Sequence, residues 1–146
     1  MDQPTKKLIA EGPMIASMGL FGDSSNPLEW GDEFVTFLQT KRALLESAPY
    51  KGKPLFALID EQPDSKEKIV VDADKDFQTY TASMLSTVHA AVTEHFGEED
   101  VRLYGEFIVS CLTAVAESAG GGLLGTGEDV SEQETRYINE VKSLFK

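Results

Sequence analysis

Most of the side chains able to do chemistry in this sequence are carboxylates, and six of them flank two glycine-containing loops. Asp23 and Glu29 belong to GLFGDSSNPLE at 19–29; Glu117, Glu128, Asp129 and Glu134 belong to ESAGGGLLGTGEDVSEQE at 117–134. Loop carboxylates supply hard oxygen ligands, so this set would suit calcium, magnesium or manganese if the two loops met. A simpler reading competes with it. Glu29 and Glu134 each stand three residues after a helix-starting residue, Asn26 and Ser131. There a glutamate reaches back to the first free N–H and completes a capping box. The other four carboxylates would then be solvated. The order D-x-D-x-D-G of a calcium-binding EF-hand loop is absent.

The remaining reactive residues point to structure before chemistry. His89 and His95 are six apart, so on a helix at about 100° per residue they do not share a face. Ser86 and Val92 occupy the positions where a di-iron bundle would need glutamate. The spacing predicts a surface histidine at 89 and a helix-end histidine at 95, where the dipole favours positive charge. Cys111 is the sole cysteine, which excludes an intramolecular disulfide and a thiolate zinc cluster. It falls on an apolar stripe and reads as a buried thiol. Ser110 beside it has no nearby base in sequence. Gly120–Gly122 follows a helix and lacks the G-K-[ST] ending of a phosphate loop. Leu123 and Leu124 must either tuck into the core or form a docking patch.

These residues are positioned by a chain that punctuates helices clearly. Residues 1–6 read as a flexible polar lead-in. Leu8, Ile9, Ile15 and Met18 predict a helix from Lys7 to Gly19, kinked or broken at Gly12-Pro13 because proline removes a backbone donor. Asn26-Pro27-Leu28-Glu29 starts a helix over 27–47, with Phe34, Phe37, Leu38, Leu44 and Leu45 as its core face. PLFALIDE predicts a short helix at 54–61, with a hairpin to KIVVD as the alternative. Ala73, Phe77, Tyr80, Met84, Val88, Ala91 and Val92 predict a helix over 73–96 that Gly97 closes. Glu98-Glu99-Asp100 then favours a helix N-terminus, and Val101, Tyr104, Ile108, Cys111, Leu112 and Val115 give that helix an apolar stripe. After Ser131, Tyr137, Ile138, Val141 and Leu144 make the buried face of a last helix. The expectation is an all-α, single-domain bundle of five or six helices spanning residues 1–146.

Thirteen lysines and arginines against 25 aspartates and glutamates give a net charge of −12 over 146 residues. That balance repels nucleic-acid backbones and anionic membranes and is compatible with cationic partners or divalent ions. No segment reads as a signal peptide or a transmembrane span, so the expected location is cytoplasmic.

GLFG at 19–22 before NPLE echoes GLLG at 122–125 before SEQE, which suggests an internal pseudo-twofold repeat. The second unit, AVAESAGGGLLGTGEDVSEQETRYINEVKSLF, resembles the second signature of the TerB-like tellurite-resistance family. There, a helix ending in small residues meets an acidic loop and a Val-Ser-x-x-Glu helix start. Val130, Ser131 and Glu134 match, with Glu117, Glu128 and Asp129 as neighbouring acidic positions. The resemblance lies mainly within residues 112–146. The usual Asp-Gly step is replaced by Glu117-Ser118-Ala119-Gly120 and an insertion, GGLLGTG, while the first half matches only through GDSSNPLE.

The resemblance implies a non-enzymatic helical bundle of a tellurite or stress-response system, with a divalent metal or a protein partner at the acidic loop end. A homodimer is a further option. Two alternatives stand beside it. One is a helical enzyme or small-molecule binder with a pocket between helices 73–96 and 98–119, lined by Phe77, Tyr80, Met84 and Phe107. The other is a plain interaction module whose acidic face docks a basic partner.

Overall fold

A computed structural model of the protein describes residues 2–21, 32–61, 77–119 and 132–145. They form six helices: α1 (Gln3–Phe21), α2 (Asp32–Leu45), α3 (Pro54–Glu61), α4 (Phe77–His95), α5 (Glu98–Ala119) and α6 (Glu132–Leu144). There is no strand among the described residues, and the all-α expectation holds. The ambiguous PLFALIDE is helical over the predicted span. The helices starting at 32, 77 and 132 leave the expected caps at Asn26 and Ser131 outside the described residues, together with KIVVD, Leu123, Leu124 and nearly all of the GLFG/GLLG echo.

Helices α1 and α5 are both central to the bundle, and α5 packs on α1, α2, α4 and α6. Its stripe behaves as its spacing predicts: Tyr104, Ile108, Cys111, Leu112 and Val115 are wholly buried, and Val101 nearly so. Phe107 joins them and meets Tyr50 and Phe56 in an aromatic cluster, with ring centroids 5.2 and 5.4 Å away. Edge-on and tilted contacts at these distances suit the ring quadrupoles and tie the α2–α3 turn to α5.

Helix α1 departs from the sequence reading at both ends of its first half. Residues 3–6 are helical rather than a loose lead-in, because Asp2 caps them. Its carboxylate accepts the N–H of Thr5 at 2.9 Å, a bond that lowers the pKa of this carboxyl. Nor does the helix break at Gly12-Pro13, which lies inside the continuous span. Proline at 13 cannot donate to the carbonyl four residues back, which is that of Ile9. The buried Tyr104 hydroxyl donates to this carbonyl instead, at 2.5 Å. Gly12 makes room for that hydroxyl, since a Cβ there would overlap it. The proline's cost is offset by a side chain 95 positions away in the chain.

A second tyrosine repeats the arrangement two turns further along. The Tyr137 hydroxyl, from α6, donates to the Ala16 carbonyl at 2.5 Å. Thr81, from α4, lies 2.9 Å from the same oxygen. A phenol has one proton, so Thr81 is the donor in that second bond. Ser17 donates to the Pro13 carbonyl at 2.9 Å. Among the described residues the two buried polar side chains, Ser17 and Thr81, are thus both satisfied.

Candidate functional site

The inner face of α5 is closed, but the flank beside it is open along one edge. Glu98, Val101, Arg102, Gly105, Glu106, Val109 and Ser110 recur at helical spacing and line a groove of about 1070 Å³. Twelve rises of about 1.5 Å separate Glu98 from Ser110, so the stripe is about 18 Å long. His89 and Thr93 from α4, Lys142 and Phe145 beside α6, and Tyr50 from the α2–α3 turn complete the lining. Val101 and Gly105 are the buried floor of this stripe, and Arg102 and Glu106 are its exposed edge.

Two contacts shape the groove. Phe145, just past α6, is buried against α5, its ring 5.5 Å from those of both Tyr104 and His89. Gly105 is the reason it fits: a Cβ at 105 would overlap the Phe145 Cβ. His89 is therefore half-buried and edge-on to a ring, not the plain surface histidine that its spacing predicts. His95, by contrast, is exposed in the last turn of α4, as expected.

Polar side chains are spread along the groove's edge. Arg102 lies between Glu99 and Glu106, at 3.7 and 2.8 Å, all three well exposed. Lys142 makes no ion pair among the described residues. Tyr50 is buried, and desolvation raises the pKa of its phenol, helped by the nearby Glu106 and opposed by the Ser110 hydroxyl. These groups present a rim of charges balanced in sign around a floor of Val101, Val109 and Phe145.

Most of the sequence-predicted site residues lie outside the described residues. Asp23, Glu29, Glu128 and Asp129 lie outside the described residues, and Glu134 is placed only as part of the first turn of α6. Glu117 is exposed near the end of α5. Among the described residues no three histidine, cysteine, aspartate or glutamate side chains gather where an ion would sit. Cys111 is fully buried, and desolvation pushes its thiol up to about 12, which leaves it protonated and unreactive at neutral pH. Burial likewise raises the phenols of Tyr104 and Tyr137, whose hydroxyls serve as donors to α1.

The groove shares only its place with the pocket expected between helices 73–96 and 98–119. It does run beside α4 and α5, but Phe107 is wholly buried in the aromatic cluster and Met84 packs partly buried against the core. The side chains of Phe77 and Tyr80 are outside the described set. Sequence reasoning missed Tyr50, Val109, Lys142 and Phe145. Gly105 is the one visible signal: a glycine within the helical run V-R-L-Y-G-E-F is costly unless something packs on it. No helix of the described residues is long and apolar enough to cross a membrane. Comparison of the chain with protein-family models, with curated proteins and with solved structures finds no match.

Proposed function

We propose that this chain is a non-catalytic docking module, and that its groove along α5 receives an amphipathic helix of about three turns from a protein partner. The observation that carries this reading is the open stripe from Glu98 to Ser110, walled by elements from both halves of the chain. Its length of about 18 Å equals that of a twelve-residue helix. At about 1070 Å³ the groove lies at the upper limit of small-molecule pockets, large enough for the apolar side chains of one helix face. Glu98, Arg102 and Glu106 on the rim and Lys142 on the wall carry charges of both signs, which would fix the register of a partner helix with charged flanks. The resemblance of residues 112–146 to the TerB-like family supplies the setting, a tellurite or stress-response assembly. The metal reading of that resemblance has one described carboxylate, Glu117, and enters no step of this proposal.

The test is selection of a helix-displaying peptide library on the folded chain. Enriched peptides should carry apolar residues at i, i+3, i+4 and i+7. Val109→Glu should weaken them at least tenfold, whereas Thr135→Glu, on the exposed side of α6, should not. Enrichment of peptides indifferent to Val109→Glu would remove the groove from this role.

A further inference from the structure

The turn between α2 and α3 departs from the charge of the rest of the chain. Over residues 41–53, Lys41, Arg42, Lys51 and Lys53 stand against one acid, Glu46. The other 133 residues hold nine cations against 24 acids. In so acidic a protein a free cation is expected to find a carboxylate. Arg42 and Lys51 do not: among the described residues neither makes an ion pair, although Glu46 stands one turn from Arg42. Lys53 has only a loose partner, Asp100, at 3.8 Å.

These cations surround a cavity of about 280 Å³, separate from the α5 groove except that Tyr50 borders both. Leu45, Tyr50, Phe56 and Ala57 form an apolar floor, and Arg42, Lys51 and Lys53 with Glu46 form the rim. Gly52, also in the lining, has φ +88°, and its N–H takes no part in the backbone hydrogen bonds of the turn. Glycine adopts this conformation without the strain a side chain would bring. The lining thus carries two net positive charges and a spare amide over an aromatic floor.

We propose that this corner binds a small organic phosphate, with the phosphate on Arg42, Lys51 and Gly52 and the apolar body over Tyr50 and Phe56. A phosphate monoester carries nearly two negative charges at neutral pH, which matches the lining. Guanidinium forks and ammonium groups are the side chains that hold such oxyanions. Size follows from the field of the whole chain. A nucleic acid would run along the acidic remainder, whereas a small anion within the corner is screened from most of it beyond about 8 Å at physiological salt. The cavity volume imposes the same limit.

Calorimetric titration of the full chain with phenyl phosphate, in 150 mM sodium chloride, tests this. Saturable one-to-one binding is expected, with none for phenol. An Arg42→Gln/Lys51→Gln variant should lose at least tenfold in affinity, while Arg42→Lys/Lys51→Arg, which keeps the charge, should stay within that limit. Both pairs are exposed, and an unchanged circular-dichroism melt verifies that the fold is intact. Val109→Glu, which blocks the groove, should leave phenyl phosphate binding as it was, so the two sites succeed or fail separately. Absence of saturable binding, or a loss below tenfold in the glutamine variant, overturns the proposal.

Discussion

The inner and outer faces of α5 belong to one helix and answer to different demands. On the inner face Tyr104, Phe107, Ile108, Cys111, Leu112 and Val115 are wholly buried, and a phenol completes the hydrogen bonding of another helix. On the outer face Arg102 and Glu106 remain more than half exposed, and a trough lies open between them and the C-terminal ends of α4 and α6. Both faces carry a device that depends on glycine. Gly12 admits the Tyr104 hydroxyl into α1, and Gly105 admits Phe145 onto α5. The first device closes the core, and the second shapes a wall of the groove. The difference teaches that exposure along α5 is set by what the other helices leave uncovered, since the helix itself runs unbroken through both.

The largest expected effect tests the closed face. Phe107→Ala should cost about 3–5 kcal/mol in chemical denaturation, because a fully buried ring joining two other aromatics leaves a cavity. A value below about 1 kcal/mol would mean that the turn carrying Tyr50 collapses to fill the space, and the contrast between the faces would weaken.

Next comes the proline seat. Helix propensity alone predicts that Gly12→Ala stabilises α1 by about 1 kcal/mol. The seat predicts the opposite, a net loss of about 1–3 kcal/mol, because the added methyl meets the Tyr104 hydroxyl. Tyr104→Phe should also cost about 1–3 kcal/mol, since it leaves the Ile9 carbonyl buried without a donor. Combined, the two substitutions should cost less than their sum, because removing the hydroxyl clears space for the methyl. Strict additivity in the double-mutant cycle would disprove the seat.

The buried thiol gives a pH dependence. Its pKa in the folded chain, about 12, exceeds the ordinary value of 9.0, so the folded state holds the proton more tightly. That contribution is complete below pH 9 and is lost as pH rises towards 12. The phenols of Tyr104 and Tyr137, shifted in the same direction, add to the loss above pH 10. Urea midpoints measured from pH 7 to 11 should fall above pH 9, and less so in Cys111→Ala. A thiol reagent at pH 8 should label Cys111 only as fast as the core opens.

The smallest effect tests the open face. Arg102→Ala should change stability by no more than about 0.5 kcal/mol, as expected for exposed i,i+3 and i,i+4 pairs. A loss comparable with that of Tyr104→Phe would show that the rim supports the fold, and would argue against a face kept free for a partner.

Much of the architecture was legible because helices announce themselves locally. The span 98–119 follows from three acids at its start and an apolar residue every three or four positions after it. The short helix at 54–61 was a choice between two local readings, decided by the helical character of the rest. The functional face was far less legible. A groove is made of what several elements fail to cover, and its residues share no composition or period across the chain. Tyr50, His89, Val109 and Phe145 are distant in sequence and meet only in the packed bundle. The carboxylates that attracted the first metal reading were grouped by proximity along the chain, and the only one of them with a described side chain, Glu117, is exposed.

By itself the sequence determined the all-α class, the spans of α3 and α5, the burial of Cys111 and the acidic field, since each depends on residue type and near-neighbour spacing. Tertiary structure alone decided that Pro13 is tolerated within α1 and that Phe145 seats on Gly105. It also decided which face of α5 stays open and that Arg42 and Lys51, without an ion pair among the described residues, gather with Lys53 at the α2–α3 corner. Each of these turns on a partner many residues away, and a carbonyl left without its helical donor does not reveal in sequence which distant hydroxyl will fill it.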